Sequence, residues 1–355
     1  MIKLLIFLFL SKFSLCSVDD DEGFGWGFDD EDEAPKEIDW DNVKRHEVII
    51  LGSGPAGSTA ALYLARAGYN PLVLHGHVPG GQLVYTTDIE NYPGFNGTGP
   101  QLVKFMQKQA EAAGAEYILD LVEEVNLTSS DGKRLPYFTL KSSNNVGYKC
   151  KTLIIATGAS AKYLGLESEQ KLRNRGVSAC AVCDGALYRN QPVAVVGGGD
   201  AAIEEALYLS KFCKSVKLIH RRDQLRASLP MKKKLEKSSV EVIWDSIVNE
   251  VIGDEYVTGV QLKNVKTEKI TNLEISALFL AIGHTPATEL FKGKLDLEKD
   301  GYIKTNGTPQ TSVPGVFAAG DCADRVFRQA ITSAGTGCQA ALLAERYLIE
   351  YGPLE

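Results

Sequence analysis

The chain has 355 residues, 44% of them hydrophobic and 23% charged, with a formal net charge of −7, a profile that suits a globular protein of two ordinary domains. Residues 1–45 hold 12 acids and 5 bases, so the whole deficit lies there and the rest of the chain is neutral; nothing remains of the basic excess that a nucleic-acid partner requires. Seven cysteines are too few for a disulfide scaffold, and without a second CxxC or a close His pair no zinc site, and no other metal site, is expected.

In chain order, Met1–Val18 is first: one early lysine, Lys3, then the apolar run Leu4–Leu10 and small residues up to Ser17. The apolar run is far short of the roughly 20 residues that span a bilayer, so residues 1–18 predict a secretory signal segment and no stable membrane span. The expected address is the secretory pathway or another sequestered compartment, with the cytoplasm as the alternative. In a eukaryotic lumen the sequons at Asn96, Asn126 and Asn306 become possible acceptors for sugar. Residues 19–45 are acid-rich, with Phe24, Trp26 and Phe28 interleaved and no helical or strand period, which predicts a disordered linker.

Order is expected from His46. His46–Leu51 reads as a buried strand, Gly52-Ser53-Gly54-Pro55-Ala56-Gly57 as a glycine turn, Ala60–Ala67 as a helix and Pro71–Leu74 as the return strand. A fingerprint framed in this way binds a dinucleotide: one glycine makes the tight turn, the second lets backbone approach a pyrophosphate, and the third packs helix on strand. The free N–H groups of the helix then face the phosphates. At the end of the return strand, where an acid usually binds a ribose, stands His75. Gly80–Leu83 and Glu90–Gly94 read as loops, and Leu153–Gly158 as another buried strand that ends in a glycine turn.

Ser178–Gly185 contains the only CxxC, Cys180 and Cys183, with Asp184 directly after it. A second βαβ unit opens at Gln191, with Gly197-Gly198-Gly199-Asp200-Ala201-Ala202 as its turn; alanine at the last position is a permitted variant. Its return strand Val216–Ile219 ends in His220-Arg221-Arg222, with Arg226 one helical turn on. Guanidiniums in place of an acid match a 2′-phosphate, which predicts NADPH over NADH. Ala277–Gly283 mirrors 153–158, and Gly315–Asp321 reads as a strand that delivers Asp321 to sugar hydroxyls. Arg328-Gln329-Ala330 leads into an amphipathic stretch, Ala334–Ile349, whose N-terminus would aim a helix dipole at an electron-rich ring. A dithiol between two dinucleotide sites suggests electrons entering on one nucleotide, passing through the other and leaving on sulfur.

From about His46 to Tyr347 this set of motifs resembles the low-molecular-weight thioredoxin reductases, of the class II pyridine nucleotide-disulfide oxidoreductases. The resemblance implies an α/β fold of two Rossmann-like three-layer domains, the NADPH domain inserted into a split FAD domain: 46–157 and 284–355 for FAD, 158–283 for NADPH and the CxxC. It implies FAD on Gly52–Gly57, Gly81, Gln82, Asn91, Thr157, Gly158, Gly320, Asp321, Arg328, Gln329 and Ala330, and NADPH on Gly197–Ala201, His220, Arg221, Arg222 and Arg226. Thioredoxin or a thioredoxin-like protein is the implied partner, and a homodimer the implied assembly. Cys183 would be the sulfur nearer the flavin, Cys180 the attacking thiolate, and Asp184 an acid whose role needs a pKa raised by burial. The inserted domain would turn about hinges near 157–161 and 282–286. The alternatives are a flavin reductase serving a peroxidase or glutaredoxin-like partner, and a flavin-fold scaffold without activity; a scaffold has no need of the CxxC or the arginines.

Overall fold

The structure is a computed structural model that describes residues 37–351 except 87, 129–131 and 133. The signal-like segment, most of the acidic stretch and Cys16 lie outside the described residues. The first part comprises β1 (Arg45–Leu51), α1 (Pro55–Arg66), β2 (Leu72–Leu74), α2 (Gly99–Ala113), β3 (Glu116–Ile118), β4 (Val122–Thr128), β5 (Arg134–Ser142) and β6 (Gly147–Ile155). Next come β7 (Ala159–Ala161), α3 (Glu167–Lys171), β8 (Val177–Ser178), α4 (Ala181–Asp184), β9 (Pro192–Gly197), α5 (Asp200–Leu209), β10 (Ser215–Ile219), α6 (Leu229–Glu236) and β11 (Glu241–Ile243). The chain closes with β12 (Ser246–Ile252), β13 (Gly259–Asn264), β14 (Ile270–Glu274), β15 (Ala277–Ala281), β16 (His284–Pro286), β17 (Val316–Ala318) and α7 (Ala330–Tyr351).

The first sheet runs β3-β2-β1-β6-β5-β4, with β17 also on β6. Strand β6 is its pivot. Its first residues pair antiparallel with β5, Leu153–Ile155 pair in parallel with β17, and β1 lies alongside in parallel. Alternate residues of β1 serve two cores, as the period of a strand dictates. Val48 and Ile50 pack towards α1 and α7, while Ile49 and Leu51 join Phe138, Leu140 and Phe291. Helices α1 and α7 meet along small residues, among them Ala56, Ala60 and Ala340. A Cβ on Gly337 would stand 2.1 Å from the Ala56 carbonyl oxygen, so only glycine permits this approach.

A second parallel sheet, β11-β10-β9-β15-β8, carries α5 and α6 on one core and the antiparallel meander β12-β13-β14 on the other. Two strands join the sheets: β7 pairs antiparallel with β16, Ala161 opposite His284. The pairing is extended by Lys162 N–H to the Gly283 carbonyl (2.9 Å) and Ala287 N–H to the Gly158 carbonyl (2.9 Å). Just beyond β7, the fully buried carboxylate of Glu169 accepts from the N–H groups of Leu164 (2.8 Å) and Gly165 (2.9 Å) and anchors that segment to α3.

Two expectations need correction. The ordered body starts before His46: a 3₁₀ turn at Trp40–Asn42 packs on the sheet, with Ile38, Trp40 and Val43 filling the space beside Gly147 and Lys149 donating to the Trp40 carbonyl. The acidic composition hid these three apolar contacts. The expected loop at Gly80–Leu83 is largely a 3₁₀ turn, Gly81–Tyr85.

Candidate active site

Cys180 and Cys183 form a disulfide across the four-residue helix α4, with Cα atoms 5.3 Å apart. Cys180 is half-buried and Cys183 exposed. Just ahead, buried Ser178 accepts the Cys180 N–H at 3.0 Å, which fixes the start of the turn. Burial raises the pKa of Asp184; a hydrogen bond from Ser178 pulls it down and the negative charge of Asp88 pushes it up. A carboxyl so placed holds its proton longer than an exposed one and can give it to a leaving thiolate.

The disulfide also faces the far end of the chain. Gln329, immediately before α7, brings Nε2 to 4.0 Å from Cys180 Sγ, while its Oε1 accepts from Asn91 Nδ2 at 3.4 Å. The fold thereby gathers Asn91, Cys180 and Gln329 at one point. Arg328 beside them has φ +48°, a left-handed conformation uncommon for its type. Its backbone N–H is held by Asp324 Oδ2 at 3.1 Å.

At the first glycine turn, Pro55 opens α1 and the free N–H groups point off its end. A Cβ on Gly57 would lie 1.9 Å from the Gly52 carbonyl oxygen, so helix and strand touch there, whereas Gly54 meets only the Gly80 carbonyl oxygen, at 3.8 Å. Ser53 is buried, and its hydroxyl accepts the Gly80 N–H at 2.8 Å, tying the Gly80–Gly81 loop, with Gln82 following, over the turn. Gly320 closes the other side against Ala56. Asp321 takes a hydrogen bond from Ser333 Oγ (2.9 Å), and burial lifts its carboxyl to about 6. His75 Nδ1 is buried without a partner at the end of β2. Open backbone at a helix N-terminus, a half-satisfied carboxyl and an orphaned imidazole nitrogen fit the phosphates and sugar of a dinucleotide. Thr157 and Gly158 also serve the connection between the sheets: Thr157 Oγ1 donates to the Ala287 carbonyl at 2.6 Å, and the Gly158 carbonyl accepts the Ala287 N–H at 2.9 Å.

At the second turn the space beside Gly199 is open, and α5 begins at Asp200-Ala201. The carboxylate of Asp200 accepts the Ser228 N–H at 2.7 Å. Arg221, Arg222 and Arg226 are all exposed, and none of them makes an ion pair among the described residues. They lie on a loop rather than on a helical turn, and Arg226 N–H is bound to the Gly198 carbonyl at 2.8 Å. Three unpaired guanidiniums beside an open helix N-terminus fit a dinucleotide with an additional phosphate. His220 has another job from the one expected. Its ring nitrogens lie 2.8 Å and 2.9 Å from the carbonyl oxygens of Gly197 and Gln224, and a Cβ on Gly198 would fall 2.2 Å from the ring, so it braces the turn.

Three residues at the site were not singled out in the sequence. Ser178 is one. Glu205, on α5, has its Oε2 buried without a partner and its carboxyl pushed by burial to about 7. It shares a helix face with Ala202, Ala206 and Leu209, and an acid on an apolar stripe is the signal that would have found it. His75 was noted only as a missing acid. Of the scattered cysteines, Cys150 and Cys322 are buried, whereas Cys213 and Cys338 are only partly so.

The pyridine nucleotide-disulphide oxidoreductase family matches residues 46–337. A thioredoxin reductase of Coxiella burnetii is 51% identical over 317 residues, covering 86% of this chain and 97% of its own. A thioredoxin reductase structure from Giardia duodenalis superposes with a TM-score of 0.81 at 42% identity, covering 86% of this chain and 99% of its own. A Lactococcus lactis thioredoxin reductase described in its FR conformation, 40% identical with the same coverage of 86% and 99%, gives 0.58. The chain belongs to the pyridine nucleotide-disulphide oxidoreductases, in the branch of the thioredoxin reductases.

Proposed function

We infer that this chain is an NADPH-dependent, FAD-containing thioredoxin reductase in which Cys180 and Cys183 carry electrons to the disulfide of thioredoxin. The observation that carries the reading is one disulfide bracketed by two glycine turns, with an acid of raised pKa beside it. The first sheet, from 46–157 and 284–355, would hold FAD on Gly52–Gly57, Gly81, Gln82, Asn91, Asp321 and the Arg328–Ala330 turn, with His75 added to them. The inserted part, 158–283, would hold NADPH on Gly197–Ala201 and the three arginines, with His220 as their brace. Bound FAD supplies the two-electron relay between NADPH and the disulfide.

The residues of the chain do the rest. When the Cys180–Cys183 bond opens by two-electron reduction, Asp184 gives its proton to the departing Cys180 sulfur. It takes the proton back as Cys180 turns to attack and passes it to the thioredoxin sulfur that leaves, the second proton coming from water. The Cys180 thiolate then attacks one sulfur of thioredoxin, whose other sulfur leaves. Cys183 attacks Cys180, the original disulfide re-forms, and thioredoxin departs with two thiols. A partner can reach Cys180 only if Gln329 and Asn91 are drawn away, and the β7–β16 connection is the natural axis for that turn. Two relatives of nearly equal identity that superpose at 0.81 and 0.58 support two settings of the same parts.

A homodimer is part of this reading: Ile331, Leu342 and Ile349 form one exposed apolar stripe on α7, beside exposed Tyr63 of α1. So is delivery to a sequestered compartment, which N-terminal sequencing of the native protein tests, an intact Met1 being the refuting result. Asn96, Asn126 and Asn306 are all exposed, as glycosylation there would require.

The activity is tested by thioredoxin reduction with NADPH and with NADH, in the wild type and in Arg221→Ala/Arg222→Ala. Each lost charge-assisted phosphate contact costs about 1.5–3 kcal/mol, so the variant gives up its preference for NADPH. Equal use of both coenzymes by the wild type refutes the reading.

A further inference from the structure

The loop that follows β10 holds a contradiction. Arg221, Arg222 and Arg226 stand exposed and unpaired, yet Asp223 follows Arg222 directly, and Asp245 is bound to the same loop through its N–H to the Arg222 carbonyl (3.3 Å). Carboxylates so close are natural partners for guanidiniums, and they repel a phosphate. What separates them comes from another element. Lys266, at the turn between β13 and β14, brings Nζ to 3.0 Å from Asp223 Oδ2 and 3.0 Å from Asp245 Oδ2.

The turn that presents this lysine is itself held. Asn264 Oδ1 accepts the N–H groups of Lys266 and Thr267, each at 3.0 Å, and Val265 N–H donates to the Asp245 carbonyl at 2.6 Å. The cation is therefore anchored on the loop it serves, and the reach of its side chain is spent on the two acids. The electrostatics agree with the geometry: the pKa of Lys266 is raised by hydrogen bonds to Asp223 and then Asp245, and that of Asp223 is lowered by Lys266.

We propose that Lys266 is a positioning residue that determines coenzyme specificity: by holding Asp223 and Asp245 it keeps both carboxylates off Arg221 and Arg222 and leaves those guanidiniums to the 2′-phosphate of NADPH. The proposal rests on the assignment of the arginines made above. Lys266 is engaged by the two acids, so its effect is assigned to Asp223 and Asp245.

The test is calorimetric titration of the full-length, flavin-loaded protein with 2′,5′-ADP and, as the probe lacking the 2′-phosphate, 5′-AMP. Lys266→Met is expected to weaken 2′,5′-ADP by about 2- to 5-fold, the upper part of the range of exposed charge pairs, and less at high salt. Binding of 5′-AMP is unchanged, and Lys266→Arg restores the wild-type ratio. The deciding measurement is the cycle with Asp223→Asn. Alone, Asp223→Asn changes 2′,5′-ADP affinity by less than about 2-fold, because its charge is already engaged; in the Lys266→Met background it recovers most of the loss. An unchanged affinity in Lys266→Met, a loss that Asp223→Asn does not recover, or two strictly additive effects overturns the proposal. Arg221→Ala and Arg222→Ala are run beside it. If they weaken 2′,5′-ADP and Lys266→Met does not, the inference alone fails; if they do not, the arginine assignment beneath it fails.

Discussion

Glu205→Gln puts the energetics of the inserted sheet to a direct test. Glu205 lies on the core-facing side of α5, one carboxyl oxygen buried without a partner. Burial pushes its carboxyl from the usual 4.5 to about 7; the Ala181 N–H and the positive charge of Arg328 pull it down, and Glu204 pushes it further up. The folded chain therefore keeps this proton at a pH where the unfolded chain has released it. The contribution of Glu205 to stability must fall as pH rises from about 4.5 to about 7 and stay lower above that. Each pH unit of this interval is worth about 1.4 kcal/mol, so the whole comes to about 3 kcal/mol. Glutamine has nearly the same shape and no charge to bury. Urea unfolding followed by circular dichroism at pH 5 and pH 8 reads the effect. Glu205→Gln should match the wild type within about 1 kcal/mol at pH 5 and exceed it by about 3 kcal/mol at pH 8. A difference of equal size at both pH values, or one that shrinks from pH 5 to pH 8, refutes the argument.

Cys180→Ser and Cys183→Ser should each abolish thioredoxin reduction while NADPH still bleaches the flavin absorbance, since either change breaks the path only at its exit; a single variant that reduces thioredoxin at the wild-type rate removes the dithiol from the path. His284 is pushed down to about 4, first by burial and then by the charges of Arg328 and Lys162. A histidine that resists protonation when folded contributes stability above 6.5 that is lost as pH falls towards about 4. His284→Gln should flatten that part of the acid-unfolding profile and leave the pH dependence of turnover between 6 and 9 unmoved. Gly198→Ala sets a methyl group 2.2 Å from the His220 ring, and should lower stability by about 1–3 kcal/mol and weaken NADPH binding, read by thermal unfolding and calorimetry.

Much of the frame was legible because it rests on local sterics. Gly57 has to be glycine against the Gly52 carbonyl oxygen, and the strands around it alternate or run apolar as a sheet demands. The connection at 157–161 and 282–286 followed from the resemblance, and β7 and β16 lie within those limits. What the residues could not announce were contacts made across great separations. Asn91 and Gln329 are 238 positions apart, and Cys180 and Gln329 149. The brace formed by His220 and the isolation of Glu205 have the same origin, since a titratable side chain in a string of letters does not reveal which backbone closes over it.

The two sheets also differ in when the chain makes them available. Every strand of the second sheet and its meander lies between Val177 and Ala281, so that part is complete while β17 and α7 are still to be synthesised. The first sheet waits. β17 supplies the partner of Leu153–Ile155 only at Val316–Ala318, and the apolar face of α1 stays uncovered until α7 emerges. On the ribosome the inserted part is thus the early folder, and the sheet that opens the sequence is the last to close. Loss of α7 would therefore leave β1 and α1 with an exposed core while the part that bears the disulfide folds as before, which makes the C-terminal helix the checkpoint for a finished molecule.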